Sequence, residues 1–169
     1  MVLNIHPMFV HIPVAFLTIY SLFEMIKWKK ITEKYFWCYI KGVLLSVGVL
    51  GAFAALQTGE LAGELYKTSP IKKLVETHAT FAAITTYYFT IILILYISKF
   101  VQGHFKNKNI EKTVKFLNKV YVFLIESWLS ILLGSIGFIL ISITGALGGA
   151  IVYGSEIDPV VSFIYHLFL

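Results

Sequence analysis

Four stretches of this chain run almost without charge, and polar residues gather in the short segments between them. A helix needs about 20 apolar residues to cross the hydrocarbon of a bilayer. The runs over residues 8–26, 36–58, 79–97 and 121–152 meet that length. The fourth is longest, so it is expected to tilt or project. No basic residue precedes the first run, which is too long for a signal-peptide core and is read as a retained span. The tail over 160–169 is apolar but short, which suits the membrane interface. No Gly/Ser-rich or Pro-rich linker divides the chain. The pattern predicts an all-α fold: one integral membrane domain over 1–169, built as a four-helix bundle in contact with the lipid bilayer.

Composition agrees: 58% of residues are hydrophobic and the mean hydropathy is +0.81, above the range of water-soluble domains. The net charge of +5 does not point to nucleic acid, because the lysines form no single stripe. The segment from Lys27 to Lys41 carries Lys27, Lys29, Lys30, Lys34 and Lys41, and Lys99, Lys106, Lys108, Lys112, Lys115 and Lys119 lie between the last two runs. The middle connection balances Glu60, Glu64 and Glu76 against Lys67, Lys72 and Lys73. By the positive-inside rule the two lysine-rich connections are cytoplasmic. Both termini then lie outside a multi-pass protein of the inner (cytoplasmic) membrane. The single cysteine, Cys38, excludes an internal disulfide, and no C-x-x-C-H is present for covalent haem attachment.

The chain also repeats itself. Span two ends in Thr58-Gly59-Glu60-Leu61-Ala62-Gly63 and span four in Thr144-Gly145-Ala146-Leu147-Gly148-Gly149, each followed by a tyrosine, Tyr66 or Tyr153. Spans one and three both open with a histidine, His11 and His78. Two helical hairpins of like orientation would bring these ends to the outer side.

Four of the five histidines, His6, His11, His78 and His166, fall at that outer side, and only His104 lies in a lysine-rich connection. A ligating side chain inside a span usually faces the bundle interior or a cofactor, and imidazole is a good ligand for haem iron, zinc or copper. His11 and His78, at matched depth on two helices, fit the two faces of a porphyrin. His6 lies five residues from His11, about 140° around a helix, which suits a propionate partner or a second site. Glycines and alanines at helical spacing on spans two and four allow close packing or leave room for a porphyrin plane. Gln57, Glu60 and Glu64 share one helix face; Glu60 is a candidate ligand to a metal ion, or an acceptor for a histidine N–H. Glu24 and Glu126 lie near the cytoplasmic ends, where they snorkel or pair with lysines. No nucleophile, base and orienting group stand at recognisable spacing, so no hydrolase or transferase is read.

The opening His6-Pro7-Met8-Phe9-Val10-His11-Ile12-Pro13 resembles the I-H-P-x-x-V-H-x-P start of a bacterial four-span membrane family, the domain of unknown function 2231. Thr58-Gly59-Glu60, Thr77-His78-Ala79 and Leu147-Gly148-Gly149-Ala150-Ile151-Val152-Tyr153 resemble its later motifs, with Ala150 replacing a glutamate and Thr77 an arginine. The resemblance implies the four-span architecture and carries no activity. The expectation from the residues is haem b held by His11 and His78, with His6 beside it, and electron transfer near the outer face. That would make the protein an electron carrier or a subunit rather than a stand-alone enzyme, with a redox partner on the outer side or a second copy of itself. The alternatives are a transition-metal (Zn, Cu or Fe ion) binding or transport protein using His6, His11, Glu60 and His78, and a non-catalytic membrane anchor of a redox complex.

Overall fold

A computed structural model describes residues 5–27, 35–104 and 108–169, the side chain of Tyr35 excepted. Lys29, Lys30, Lys34 and Lys106, which entered the sequence analysis, lie outside the described residues. Among the described residues there are six α-helices and no strand: α1 (His6–Met25), α2 (Tyr35–Gly63), α3 (Lys72–Val101), α4 (Lys108–Tyr121), α5 (Leu129–Tyr153) and α6 (Pro159–Phe168). Four of them, α1, α2 with its terminal 3-10 turn, α3 and α5, are long and apolar enough to span a membrane.

The four spans form a ring in which α1 packs on α2, α2 on α3, α3 on α5 and α5 back on α1. The centre is a layer of Leu17, Leu45, Val49, Phe89, Ile92 and Ile141. Outward, large apolar side chains such as Met8, Leu50, Ile91 and Phe123 are exposed, as lipid requires. Close approach is made by glycine: a Cβ at Gly48 would overlap the Leu17 side chain, and one at Gly51 would stand 2.8 Å from Ile12 and 3.1 Å from Pro13. Pro13 sits inside α1. It cannot donate to the Phe9 carbonyl, and Gly51 gives its ring room.

The bounds differ from the sequence expectation in two places. Helices α2 and α3 extend beyond the expected 36–58 and 79–97: a Cβ at Gly63 in the added turn of α2 would stand 3.9 Å from Val75 in that of α3, and Leu74 packs on α5 and α6. The fourth span begins at Leu129, not at 121. Residues 108–121 form α4, an amphipathic helix packed on α3, and a π-helical turn (Val122–Glu126) follows. The chain then breaks at Ser127, which is extended and whose hydroxyl accepts from the Leu129 amide at 3.1 Å. Apolarity runs unbroken through 121–125, but Glu126 and the Ser127 turn stop the helix there.

The tail is a helix as well. Asp158 caps α6 by accepting from the amides of Val160 (2.8 Å) and Val161 (3.0 Å). Val161 and Ile164 are buried against α5, and Phe168 meets Phe81 of α3 with ring centroids 4.7 Å apart. Helix α6 therefore buttresses the end of the bundle that carries His78.

Candidate functional site

Two imidazoles close one end of the bundle, on helices that lie diagonally across the ring. His6 opens α1, and its Nδ1 lies 3.1 Å from Thr58 Oγ1 on α2. The Thr58 hydroxyl donates to the carbonyls of Ala54 (3.0 Å) and Ala55 (3.2 Å), so its oxygen accepts and His6 Nδ1 carries the proton. His78, in the second turn of α3, places Nδ1 3.0 Å from the carbonyl of Thr144 on α5, which only an N–H can satisfy. In both neutral rings Nε2 is then the lone-pair nitrogen.

Each ring lies on a glycine of the neighbouring span. A Cβ at Gly59 would stand 3.0 Å from His6 Cε1, and one at Gly148 3.1 Å from His78 Cε1. Any other residue at these positions would displace the imidazoles. The threonines of the internal repeat each anchor a histidine, but the seats are not its equivalent glycines: Gly59 follows Thr58 directly, Gly148 lies four residues past Thr144, and nothing lies within 4 Å of a Cβ at Gly145, the counterpart of Gly59. The register is not identical, since Thr58 offers its side chain and Thr144 its backbone, while the Thr144 hydroxyl bonds Thr85 Oγ1 at 2.9 Å.

The expected partner of His78 is not the residue that the bundle brings to it. His11 is exposed, on the face of α1 that carries Val14 and Thr18 three and seven residues on. Val14 and Thr18, with Gly145, Gly149 and Tyr153 of α5, line an open groove of about 620 Å³. The turn between residues 6 and 11 aims His6 inward and His11 elsewhere. Glu60 is exposed and joins neither imidazole. Among the described residues no three His, Cys, Asp or Glu side chains are placed to hold a metal ion. His166 is exposed and pairs with Glu156 at 3.2 Å. Of the glycine stripes, Gly48, Gly134 and Gly137 are filled by side chains or backbone of neighbouring helices, and only the outermost face the histidines.

A second polar cluster lies at the other end. Glu24, 1% exposed, accepts from Lys41 Nζ at 2.9 Å, from Tyr20 OH at 2.8 Å and from Tyr96 OH. The sequence shows Glu24 near lysines but singles out neither tyrosine. The one available signal was the four-residue spacing of Tyr20 and Glu24, which puts both on one helix face.

The chain belongs to the family described as predicted membrane protein (DUF2231), whose model matches residues 2–159. No curated protein and no solved structure matches it.

Proposed function

We propose that the protein binds haem b between His6 and His78 and passes electrons near that end of the bundle. The reading rests on one observation: two imidazoles on diagonal helices, each with Nδ1–H bonded to the protein and seated on glycine. A metal-ligating histidine commonly donates its other N–H to a carbonyl or similar acceptor, which fixes its tautomer and orientation, and histidine is a common haem ligand. Bound haem would supply one-electron chemistry; the chain supplies the two nitrogens, the fixed tautomers and a lipid-facing shell. The sequence favoured His11 as ligand, and the geometry favours His6 in its place. A transition-metal site using Glu60 has less support, because Glu60 lies apart from the histidines.

In this reading the histidine end faces the outside of the cytoplasmic membrane, with both termini, and meets a redox partner there or a second copy of the chain. The lysine-rich α4 lies on the cytoplasmic surface, where a basic amphipathic helix binds anionic lipid.

An absorption spectrum of the purified protein, with haem supplied during expression, tests the proposal. A Soret band with a sharp reduced α-band is expected, low-spin character being lost in His6→Ala and His78→Ala and retained in His11→Ala. Absence of porphyrin absorption after haem supply would remove the proposal. Loss in His11→Ala with retention in His6→Ala would return the ligand role to His11.

A further inference from the structure

The Glu24 cluster draws on every span. Tyr20 faces the carboxylate from α1, Lys41 from α2 and Tyr96 from α3, while Ser130 of α5 donates to the Glu24 backbone carbonyl at 3.1 Å. Tyr88, Tyr121 and Lys27 lie close enough to interact with its charge. All three donors to the carboxylate are in place, so the ionised form is fully served.

A cross-link alone does not call for an ion pair here. Replacing a buried pair by apolar residues of similar volume is often neutral or stabilising, and an ionisable residue within a span marks a path for ions or protons by default. Tyr20, Tyr96 and Ser130 could set the register of the helices without any charge.

The surroundings are also one-sided. Toward the histidines lies the apolar layer of Leu17, Leu45, Val49, Phe89 and Ile141. Toward the lysine-rich end, polar groups continue to the surface. Lys27 donates to the Ile125 carbonyl at 3.4 Å, and Cys38 Sγ lies 3.3 Å from Tyr121 OH. Lys99 stands over the Tyr121 ring and pairs with the exposed Glu126 at 3.1 Å. On the histidine side of Glu24, near Phe89 and Gly137, the Ser21 hydroxyl is fully buried and has no hydrogen-bond partner among the described residues. Ordered water commonly satisfies such a group.

We propose that Glu24 and Lys41 form a proton-binding site that exchanges with water at the lysine-rich end of the bundle only. A proton taken from that water binds the Glu24 carboxylate and makes it the neutral acid. The Lys41 ammonium, released from its counter-ion, withdraws along its flexible stem toward the surface. The reverse steps return the proton, so one proton is held per cycle and no other bond changes. The inference does not depend on haem binding.

Infrared difference spectroscopy of the full chain in sealed lipid vesicles tests it. Acidification at the lysine-rich end should produce a carboxylic-acid C=O band that shifts in heavy water and is missing in Glu24→Gln. Acidification of the opposite side alone should not produce it. Lys41→Met, which leaves the carboxylate without its cation, should show the band already at neutral pH. Should Glu24→Gln fail to fold, Tyr96→Phe serves instead: with one donor removed, the band should change frequency and persist. The proposal is overturned if the wild type shows no such band before it unfolds, if Lys41→Met lacks it at neutral pH, if Tyr96→Phe leaves its frequency unchanged, or if both sides elicit it equally.

Discussion

Gly134→Ala isolates the fit between α1 and α5 beside Glu24. A Cβ there would stand 2.6 Å from the Ser21 carbonyl oxygen, 3.0 Å from Met25 Cγ and 3.1 Å from Glu24 Cβ. The first of these is backbone and cannot rotate away. Opening 2.6 Å to an ordinary 3.4 Å contact moves the helices apart by about 0.8 Å, an overpacking strain of about 1–3 kcal/mol. Ser130, one turn earlier on the same face of α5, now bonds the Glu24 carbonyl at 3.1 Å; the same displacement stretches that bond to about 3.9 Å, beyond hydrogen-bond reach. Its loss adds about 1 kcal/mol, and the better helix propensity of alanine returns up to about 1 kcal/mol. The net expectation is a destabilisation of about 2 kcal/mol, dominated by the overpacking. Gly145→Ala is the matched control, since nothing lies within 4 Å of a Cβ there; it should be neutral, or stabilising by up to about 1 kcal/mol. Unfolding of both variants in mixed micelles with rising SDS, followed by circular dichroism, gives the comparison. Equal stability of Gly134→Ala and wild type would refute the close approach of α1 and α5 on which the Glu24 geometry depends.

The cap of α6 gives a second prediction: Asp158→Ala should cost about 1 kcal/mol and free the tail from α5, seen as faster proteolysis between Gly154 and Asp158 with the spans intact. For topology, with Cys38 replaced by serine, an impermeant maleimide on intact cells should label a cysteine at Ser155 and spare one at Gln102; the opposite pattern inverts the proposed orientation. Gly59→Leu and Gly148→Leu should each displace an imidazole and abolish haem absorption while leaving helicity unchanged, and retained low-spin spectra would detach the glycine seats from the proposed site.

Length and apolarity sufficed to find the four spans, because lipid leaves a helix no other way to satisfy its backbone. They failed at the start of span four. Tyr121, Val122, Phe123, Leu124 and Ile125 read as membrane core, yet they belong to the end of a surface helix and a π-helical turn, and the decisive signal was one serine hydroxyl. The histidine end was legible as a place but not as a pairing. Position in the sequence gives depth along a helix, whereas facing depends on rotation and on which neighbour leaves space. Gly59 takes His6, and no comparable seat takes His11. Lys41 was misplaced for a related reason: it follows four other lysines in the sequence, and composition could not show that its own side chain turns inward, to 8% exposure.

The two polar clusters bear on one another through what separates them. A bundle that needed only to span lipid would be served by an apolar interior throughout, as its middle layer is. This chain instead places imidazoles above that layer and an ion pair below it, and each cluster joins spans that are not adjacent in sequence: His6 and His78 stand on spans one and three, as do Glu24 and Tyr96. Neither cluster can then form until the ring of helices has closed. The ring is closed by glycines, with Gly48 and Gly51 bringing α2 onto α1 and Gly134 and Gly137 bringing α5 onto α1 and Phe89. Helix packing in lipid has no hydrophobic force between helices and depends on such close contact. The glycines therefore act on the polar sites at a distance, by fixing how near the helices come, and the apolar layer they compress stands between the two ends.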